Sequence, residues 1–169
     1  FDDVTWVTTN SITRTADDAT TAPDGSATAD KLNFNGAATV DSLQQDSGVV
    51  STAAAYTFSV WLRSVSGGTT VVIKIEDANE NNTNVISNLS ATRWERYSVS
   101  QTFATAGGNI KVTILENAAA DAPVILAWGT QLEKASKPNV YARTTDDQIA
   151  AGAPEVGFAL GKNAHITGN

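Results

Sequence analysis

The amino-acid sequence predicts an all-β protein, a jelly-roll β-sandwich built from two antiparallel sheets. Apolar and polar residues alternate along many short segments, and this period of two is typical of strands with one buried face. Gly, Asn, Asp and Pro separate these segments, as expected for turns between strands. The Ala runs at 53–55 and 118–120 are too short to form a helix alone. Many short strands joined by turns favour a sandwich or jelly roll over a helical fold.

Short strands are predicted along the first part of the chain, at 4–8, 11–15, 27–34 and 39–45. The turn Pro23-Asp24-Gly25-Ser26 separates two of them, because its residues match the positions of a type I or II turn. Strands and turns therefore alternate from the start of the chain.

The segment 56–63 is predicted to be a half-buried strand. Its apolar face consists of Tyr56, Phe58, Val60 and Leu62. Its opposite face carries Trp61 among polar residues. The next strand, 70–76, follows Gly67 and Gly68, a pair that favours a tight reversal. The two strands are predicted to form an antiparallel hairpin.

A second antiparallel hairpin is predicted from the same pattern. Tyr97 and Val99 alternate with polar residues in the segment 94–101. Gly107-Gly108 then leads to a segment, 110–114, that alternates in step. The Asn-rich run between the two hairpins, at 77–82, is expected to be a loop.

A last strand is predicted from Val124, and a fixed exit follows it. Pro138 has no N–H to donate to a sheet, so the strand must end before it. After Thr144 the chain is rich in Gly, Ala and Asn, with too few apolar residues to build a core. The predicted organisation is a sandwich at 1–145 and an extended C-terminal arm or linker at 146–169.

The chain resembles a known family at several segments that occur in the same order. They are PDGSATADKL at 23–32, YTFSVWLRS at 56–64, TRWERYSVSQTF at 92–103 and VILAWGTQLEKASKPNVYART at 124–144. In these segments it resembles the carbohydrate-binding-module-like jelly-roll domains of bacteriophage tail fibres and other virion proteins. The resemblance covers residues 6–144 and implies the same jelly-roll fold. It also implies a virion protein, assembled in the host cytoplasm and then extracellular.

Three tryptophans are expected to be structural. In the resembled domains a Trp at the position of Trp94 takes part in packing at the rim, so Trp94 is expected in the core. Trp128 alternates with Leu126 and is also predicted to lie inside. Trp6 is predicted to cover an end of the sandwich.

Composition argues against several functional classes. A net charge of −7 disfavours nucleic-acid binding, because phosphate contacts need clustered Lys and Arg. No apolar run approaches the roughly 18 residues of a membrane span, so no membrane insertion is predicted. The chain has no Cys, and its only His is His165 in the arm, which disfavours nucleophilic catalysis. Paired strand Glu residues could hydrolyse glycosides, but solvated Glu on an exposed face is commoner. A non-enzymatic protein is predicted.

A sugar site requires an aromatic platform for the ring, flanked by polar groups that bond its hydroxyls. Trp61 shares its strand face with Ser59 and Arg63, and the neighbouring strand of the predicted hairpin offers Lys74 and Glu76. These five residues form the candidate carbohydrate-binding site. In the alternative interpretation, Trp61 packs under a loop or against a neighbouring subunit.

The resemblance also suggests a structural calcium ion near the first strands and the last one. The candidate ligands are Asp24, Asp30 and Glu133. Calcium takes about six to eight oxygens, so several backbone carbonyls would have to join them. Alternatively, Asp24 caps the turn after Pro23 and Glu133 pairs with a Lys or Arg at the sheet edge. No other cofactor is predicted.

Apolar residues alternate within the C-terminal arm as they would in an edge strand, at Val156, Phe158 and Leu160. Because homotrimers are the rule in the fibre proteins that the chain resembles, these residues are predicted to dock on another copy. A plain linker or tail is the other interpretation.

The predicted function is a non-enzymatic virion structural module, of a phage tail fibre or surface appendage, that aids host attachment by weak carbohydrate binding. Its expected partners are other copies of itself, other virion proteins and a host surface glycan. One alternative is a purely architectural domain that decorates a capsid or spaces a fibre. Another is a binding module appended to a secreted polysaccharide-degrading enzyme.

Overall fold

The computed structural model is a jelly-roll β-sandwich of two antiparallel sheets, as the sequence predicts. It describes residues 5–10, 12–36, 39–119 and 121–141, and the backbone of 158–159. No helix in this part of the chain is long and apolar enough to cross a membrane.

Sheet 1 has the strand order β1-β4-β9-β6-β7. Its strands are β1 (Trp6–Thr9), β4 (Ser42–Val50), β6 (Thr69–Glu76), β7 (Asn81–Leu89) and β9 (Asn109–Glu116). Sheet 2 has the order β2-β3-β10-β5-β8, with β11 paired to β10. Its strands are β2 (Thr13–Asp18), β3 (Ala29–Asn33), β5 (Ala55–Ser64), β8 (Glu95–Thr102), β10 (Val124–Glu133) and β11 (Phe158–Ala159).

The main core lies between the two sheets and is built by the alternating faces of their strands. In β5 the predicted apolar face is buried in this core, at Tyr56, Phe58, Val60 and Leu62. In β6 and β9 the same alternation buries Val71, Ile73 and Ile75, and Ile110, Val112 and Ile114. Replacing a buried ring such as that of Phe58 by Ala would cost about 3–5 kcal/mol of stability. Trp6, expected at an end of the sandwich, packs in the same core.

Both predicted hairpins are wrong, because consecutive strands in these regions belong to different sheets. β5 pairs with β8 and β10 in sheet 2, whereas β6 pairs with β7 and β9 in sheet 1. Gly67 and Gly68, both at positive φ, carry the chain from one sheet to the other. The connection at Gly107-Gly108 does the same between β8 and β9. Each strand points its apolar face at the shared core, and this arrangement produces the same sequence pattern as a hairpin.

The Asn-rich run expected to be a loop contains the start of strand β7, which forms an edge of sheet 1. Most of its side chains are exposed, so the apolar alternation that reveals other strands is absent. Two of its asparagines reach the neighbouring edge of sheet 2: the Asn82 amide donates to the Ser100 carbonyl at 2.8 Å and that of Asn84 to the Ser98 carbonyl at 3.0 Å. These bonds close one side of the sandwich.

Candidate binding face

The structure does not bring the five candidate carbohydrate-binding residues together. Ser59, Trp61 and Arg63 alternate with the main-core residues of β5, so they lie on the outer face of sheet 2, where Ser59 is completely buried. Lys74 and Glu76 alternate with the buried residues of β6, which puts them on the outer face of sheet 1. The two groups are on opposite sides of the sandwich because β5 and β6 do not form a hairpin.

On sheet 1 the two charged candidates neutralise each other. The Lys74 ammonium lies 2.5 Å from a carboxylate oxygen of Glu76. The amide of Gln44 donates to the other oxygen of Glu76 and to the Thr113 hydroxyl, each at 3.2 Å. Among the described residues, this part of the face is therefore a bonded polar row without an aromatic ring.

An aromatic cluster lies on the outer face of sheet 2. It consists of Trp61, Trp94, Trp128 and Tyr141. Trp128 and Trp61 are opposite each other in the pairing of β10 with β5. Trp128 is only 2% exposed, and its ring lies 4.8 Å from that of Tyr141 at an angle of 55°. The cluster is thus a small second core outside the main one.

The loop between β2 and β3 covers one side of this cluster. Ala22 packs against it, and the Trp94 indole donates to the Thr21 carbonyl at 2.9 Å. The Trp128 indole donates to the Thr28 hydroxyl at 3.1 Å. Trp94 and Trp128 are therefore packing residues, and Trp128 is buried as expected, but both belong to this second cluster and not to the core between the sheets.

The segment 134–141 covers the other side of the cluster and is called the strap. It follows β10 directly and crosses the outer face of β5 and β8. The Thr57 hydroxyl donates to the Ala135 carbonyl at 2.8 Å, and the Ser100 hydroxyl donates to the Ser136 carbonyl at 3.3 Å. At its end, the Tyr141 ring packs on Trp128. No periodicity follows Pro138, so the sequence does not reveal this packing.

Gly129 makes room for the strap. It lies in a bulge of β10, where the register with β5 shifts between Trp128 and Gln131, and its φ is +61°. A Cβ at this position would lie 3.0 Å from the Tyr141 ring and 3.2 Å from the Trp61 ring. Only glycine both adopts this φ easily and leaves space for the two rings.

Under the strap lies a buried polar network centred on Arg96. The guanidinium donates to the Ser59 hydroxyl and to the Gln131 side-chain oxygen, each at 2.9 Å, and also to the Asn139 carbonyl. It lies 3.9 Å from the Glu133 carboxylate. Burial lowers the pKa of Arg96 below its ordinary value, although the charge of Glu133 opposes the shift. Arg96 alternates with Tyr97 in β8, so its outward position could have been predicted from the sequence.

Glu133 in turn holds the strap. Its carboxylate accepts the Asn139 backbone N–H at 3.1 Å and the Asn139 side-chain amide at 2.8 Å. A carboxylate that is 2% exposed needs such partners, because an unpaired buried charge is costly. Glu133 therefore joins β10, β8 and the strap in one arrangement.

Arg63 lies beside the cluster but outside the buried network. It is opposite Leu126 in the β10–β5 ladder, and its Nε donates to the Ala91 carbonyl at 2.7 Å. Its terminal nitrogens make no hydrogen bond within the residues that the structure describes. Trp61 and Trp94 are only partly buried. The exposed rim of the aromatic face is thus defined by Trp61, Arg63 and Trp94.

The three candidate calcium ligands are not brought together. Asp24 accepts the Ser26 N–H at 3.0 Å and the Ser26 hydroxyl at 2.6 Å in an exposed turn. Asp30 is buried opposite Ala127 in the β3–β10 ladder and accepts the Asp17 N–H at 3.1 Å. Glu133 lies six residues after Ala127 in β10, and its carboxylate accepts a hydrogen bond from Asn139 of the strap. Within the described residues, no group of three or more acidic or histidine side chains could hold a metal.

Of the predicted arm residues, only Phe158 falls within the described part of the chain, and Val156 and Leu160 lie outside it. Phe158 and Ala159 form β11, which pairs with Leu132 and Gln131 of the chain's own β10. Phe158 was predicted to dock on another copy as an edge strand, but in the structure it pairs with a strand of its own chain.

The fold is shared with several solved structures, although no protein-family model and no curated protein matches the sequence. The enzymatically active domain of bacteriophage CBA120 tailspike protein 4 is similar with a TM-score of 0.56 and 12% identity. The match covers 76% of this chain and 19% of the tailspike chain, so this chain spans about a fifth of that protein's length.

Carbohydrate-binding modules are among the other similar structures. TmCBM61, solved with β-1,4-galactotriose, matches with a TM-score of 0.54 and 16% identity over 78% of this chain and 90% of its own. The CBM22-1-GH10 modules of Clostridium thermocellum xylanase Xyn10B, solved with xylohexaose, match with a TM-score of 0.56 and 16% identity over 83% and 27% of the two chains. At such identities the similarity shows the fold alone.

Proposed function

We propose that this chain is a non-enzymatic carbohydrate-binding module that contacts sugars through the exposed rim of its aromatic face. The observation that carries the proposal is the partly exposed pair Trp61 and Trp94 beside Arg63, whose terminal nitrogens are free within the described residues. An indole supports the apolar face of a pyranose ring, and a guanidinium donates to its hydroxyls. The fold shared with modules solved in complex with oligosaccharides supports the same function.

We further propose that the module belongs to a phage tail fibre or another virion appendage, where it aids host attachment. The sequence resemblance and the similarity to a tailspike domain support this placement. A small rim offers few contacts, so each site binds weakly. Several copies, as in a homotrimer, would raise the overall affinity through their effective concentration.

A glycan array with Arg63→Ala tests the rim site. The variant is expected to lose most of the wild-type signal, whereas Arg63→Lys, which keeps the charge, retains part of it. Lys74→Ala is the matched control, because Lys74 is a cation on the opposite face of the sandwich. Equal glycan binding by wild type and Arg63→Ala would refute the rim site.

A purely architectural domain is the second candidate function. It is favoured by the packing of the aromatic cluster, in which Trp128 is buried and Tyr141 covers part of the face. In that case no glycan binds, and the same face forms an apolar interface between subunits. A binding module of a secreted polysaccharide-degrading enzyme also remains an alternative, since the Xyn10B structure joins such a module to a GH10 module. A catalytic domain in the full-length gene would support it.

A further inference from the structure

Three buried hydrogen-bond donors on the outer face of sheet 2 have no acceptor within the described residues. They are Trp61 Nε1, Arg96 Nε and Gln131 Nε2. Gln131 is itself completely buried. Leaving a buried donor unpaired costs about 1–3 kcal/mol, and few such groups occur in folded proteins. Three in one place indicate a surface built to meet acceptors that are not part of it.

The three side chains are neighbours in the sheet. Trp61 of β5 is directly opposite Arg96 of β8. The Arg96 guanidinium donates to the side-chain oxygen of Gln131 at 2.9 Å. The unpaired donors therefore belong to one continuous patch that crosses β8, β5 and β10.

The strap lies over this patch and partly fills the role of a ligand. Its acceptors are backbone carbonyls: those of Ala135, Ser136 and Asn139 receive bonds from Thr57, Ser100 and Arg96. Its Tyr141 ring packs against Trp128 at a tilt of 55°, so an aromatic ring already covers this indole. An extended chain rich in oxygen acceptors, ending in a flat ring, thus already occupies the face.

The strap contributes nothing to the main core. No residue of 134–141 belongs to the apolar cluster between the sheets, and Val140 is 85% exposed. Within the described residues, its hydrogen bonds with the sheet are made by side chains of the sandwich and not by a strand ladder. The strap can therefore leave while the sandwich stays folded.

We propose that the strap is a self-docked lid, and that its release opens a groove along sheet 2 for an extended carbohydrate chain. This inference rests on the proposed carbohydrate-binding function and adds its regulation. Hydroxyl and ring oxygens of the glycan replace the strap carbonyls and also meet the donors of Trp61, Arg96 and Gln131. One sugar ring takes the position of Tyr141 on Trp128. The closed form binds sugars only at the rim.

The test compares wild type with Asn139→Ala/Tyr141→Ala, which removes the amide held by Glu133 and the ring held by Trp128. Val140→Ala is the matched control within the strap. Binding of xylohexaose and of β-1,4-galactotriose is measured by calorimetry, and access to tryptophan by acrylamide quenching. The double variant is expected to be quenched more and to bind at least one probe about tenfold more tightly, equivalent to about 1.4 kcal/mol. Val140→Ala should behave as wild type.

The outcomes separate this inference from the rim site. If wild type binds through Arg63 but the folded double variant binds no better, the lid is refuted and the rim site stands. If only the double variant binds, the lid is supported and the rim site is refuted. If the folded double variant binds neither probe, the lid is refuted whatever wild type does. Should the double variant fail to fold, Asn139→Ala alone is judged by the same criteria.

Discussion

Gly129→Ala is the sharpest test of how the strap is seated. The glycine lies in the bulge of β10 at a φ of +61°, and a Cβ would approach the Tyr141 ring to 3.0 Å and the Trp61 ring to 3.2 Å. The substitution adds one methyl group and changes no charge. It therefore perturbs the aromatic cluster without touching the main core.

The expected loss of stability has two parts. Placing an L-residue at this positive φ costs about 1–2 kcal/mol relative to glycine. Displacing Tyr141 from Trp128 forfeits an aromatic contact worth about 0.5–1.5 kcal/mol. The sum is about 2.5 kcal/mol, which lowers Tm by roughly 5–10 °C in a protein of this size.

Gly48→Ala is the matched control. Gly48 has a similar φ of +69°, but a Cβ there would meet nothing within 4 Å. It should lose only the backbone part, about 1–2 kcal/mol. Both variants are measured by urea unfolding, and tryptophan fluorescence reports the cluster. Gly129→Ala should shift the emission to longer wavelength, and Gly48→Ala should not.

Equal losses of stability in the two variants, with unchanged emission from Gly129→Ala, would refute the reasoning. That result would mean that Tyr141 does not rest against Gly129. If Gly129→Ala shifts the emission but loses no more stability than Gly48→Ala, the Tyr141 contact contributes little free energy.

Three further predictions concern other parts of the sandwich. Asn82→Ala should lower the free energy of unfolding by about 1 kcal/mol and promote self-association in sedimentation, because the Ser100 carbonyl of β8 loses its partner. Asn81→Ala, at the neighbouring exposed position, leaves that bond in place and should match wild type in both measurements. Burial raises the pKa of Asp77, but hydrogen bonds from Ser51 and two backbone amides outweigh it, so the net pKa lies below its ordinary value. The free energy of unfolding in urea should therefore fall as the pH drops below about 4, and it should fall less steeply in Ser51→Ala. Parallel curves for the two proteins would contradict this. Burial and a bonded carboxylate raise the pKa of Tyr97 to about 12, so stability present below pH 10 should be lost towards pH 12, and ultraviolet titration should find one tyrosine that ionises late.

The faces of individual strands could be predicted from the sequence because they depend on a local pattern. In β5 the period of two separates the residues of the main core from Ser59, Trp61 and Arg63 on the outer face, and the structure shows this separation. The same pattern in β8 places Arg96 on the outer side. Strand β7 was not predicted because most of its side chains are exposed and only Ile86 and Leu89 within it are buried, so no apolar alternation marks it.

The pairing of strands could not be predicted because paired residues are far apart in the sequence. Trp61 lies opposite Arg96 on one side and Trp128 on the other, 35 and 67 residues away in sequence. A hairpin between β5 and β6 is the simpler interpretation of the same residues, and it placed Lys74 and Glu76 on the wrong sheet. Tyr141 follows a proline exit with no periodicity, so only its contact with Trp128 reveals its role.

The contrast between the two outer faces identifies the one on which to look for a ligand. On sheet 1, Lys74 and Gln44 both bond the carboxylate of Glu76 and form a polar group. On sheet 2 lie the rings of the aromatic cluster, none of which belongs to the main core. A second core that served packing alone would gain most from apolar contacts, because a buried donor without an acceptor only destabilises it. Yet this face retains Arg96 and Gln131 with donors unpaired in the described structure, beneath a strap that supplies carbonyl oxygens. An acceptor-rich ligand explains both features, and packing alone explains only the rings.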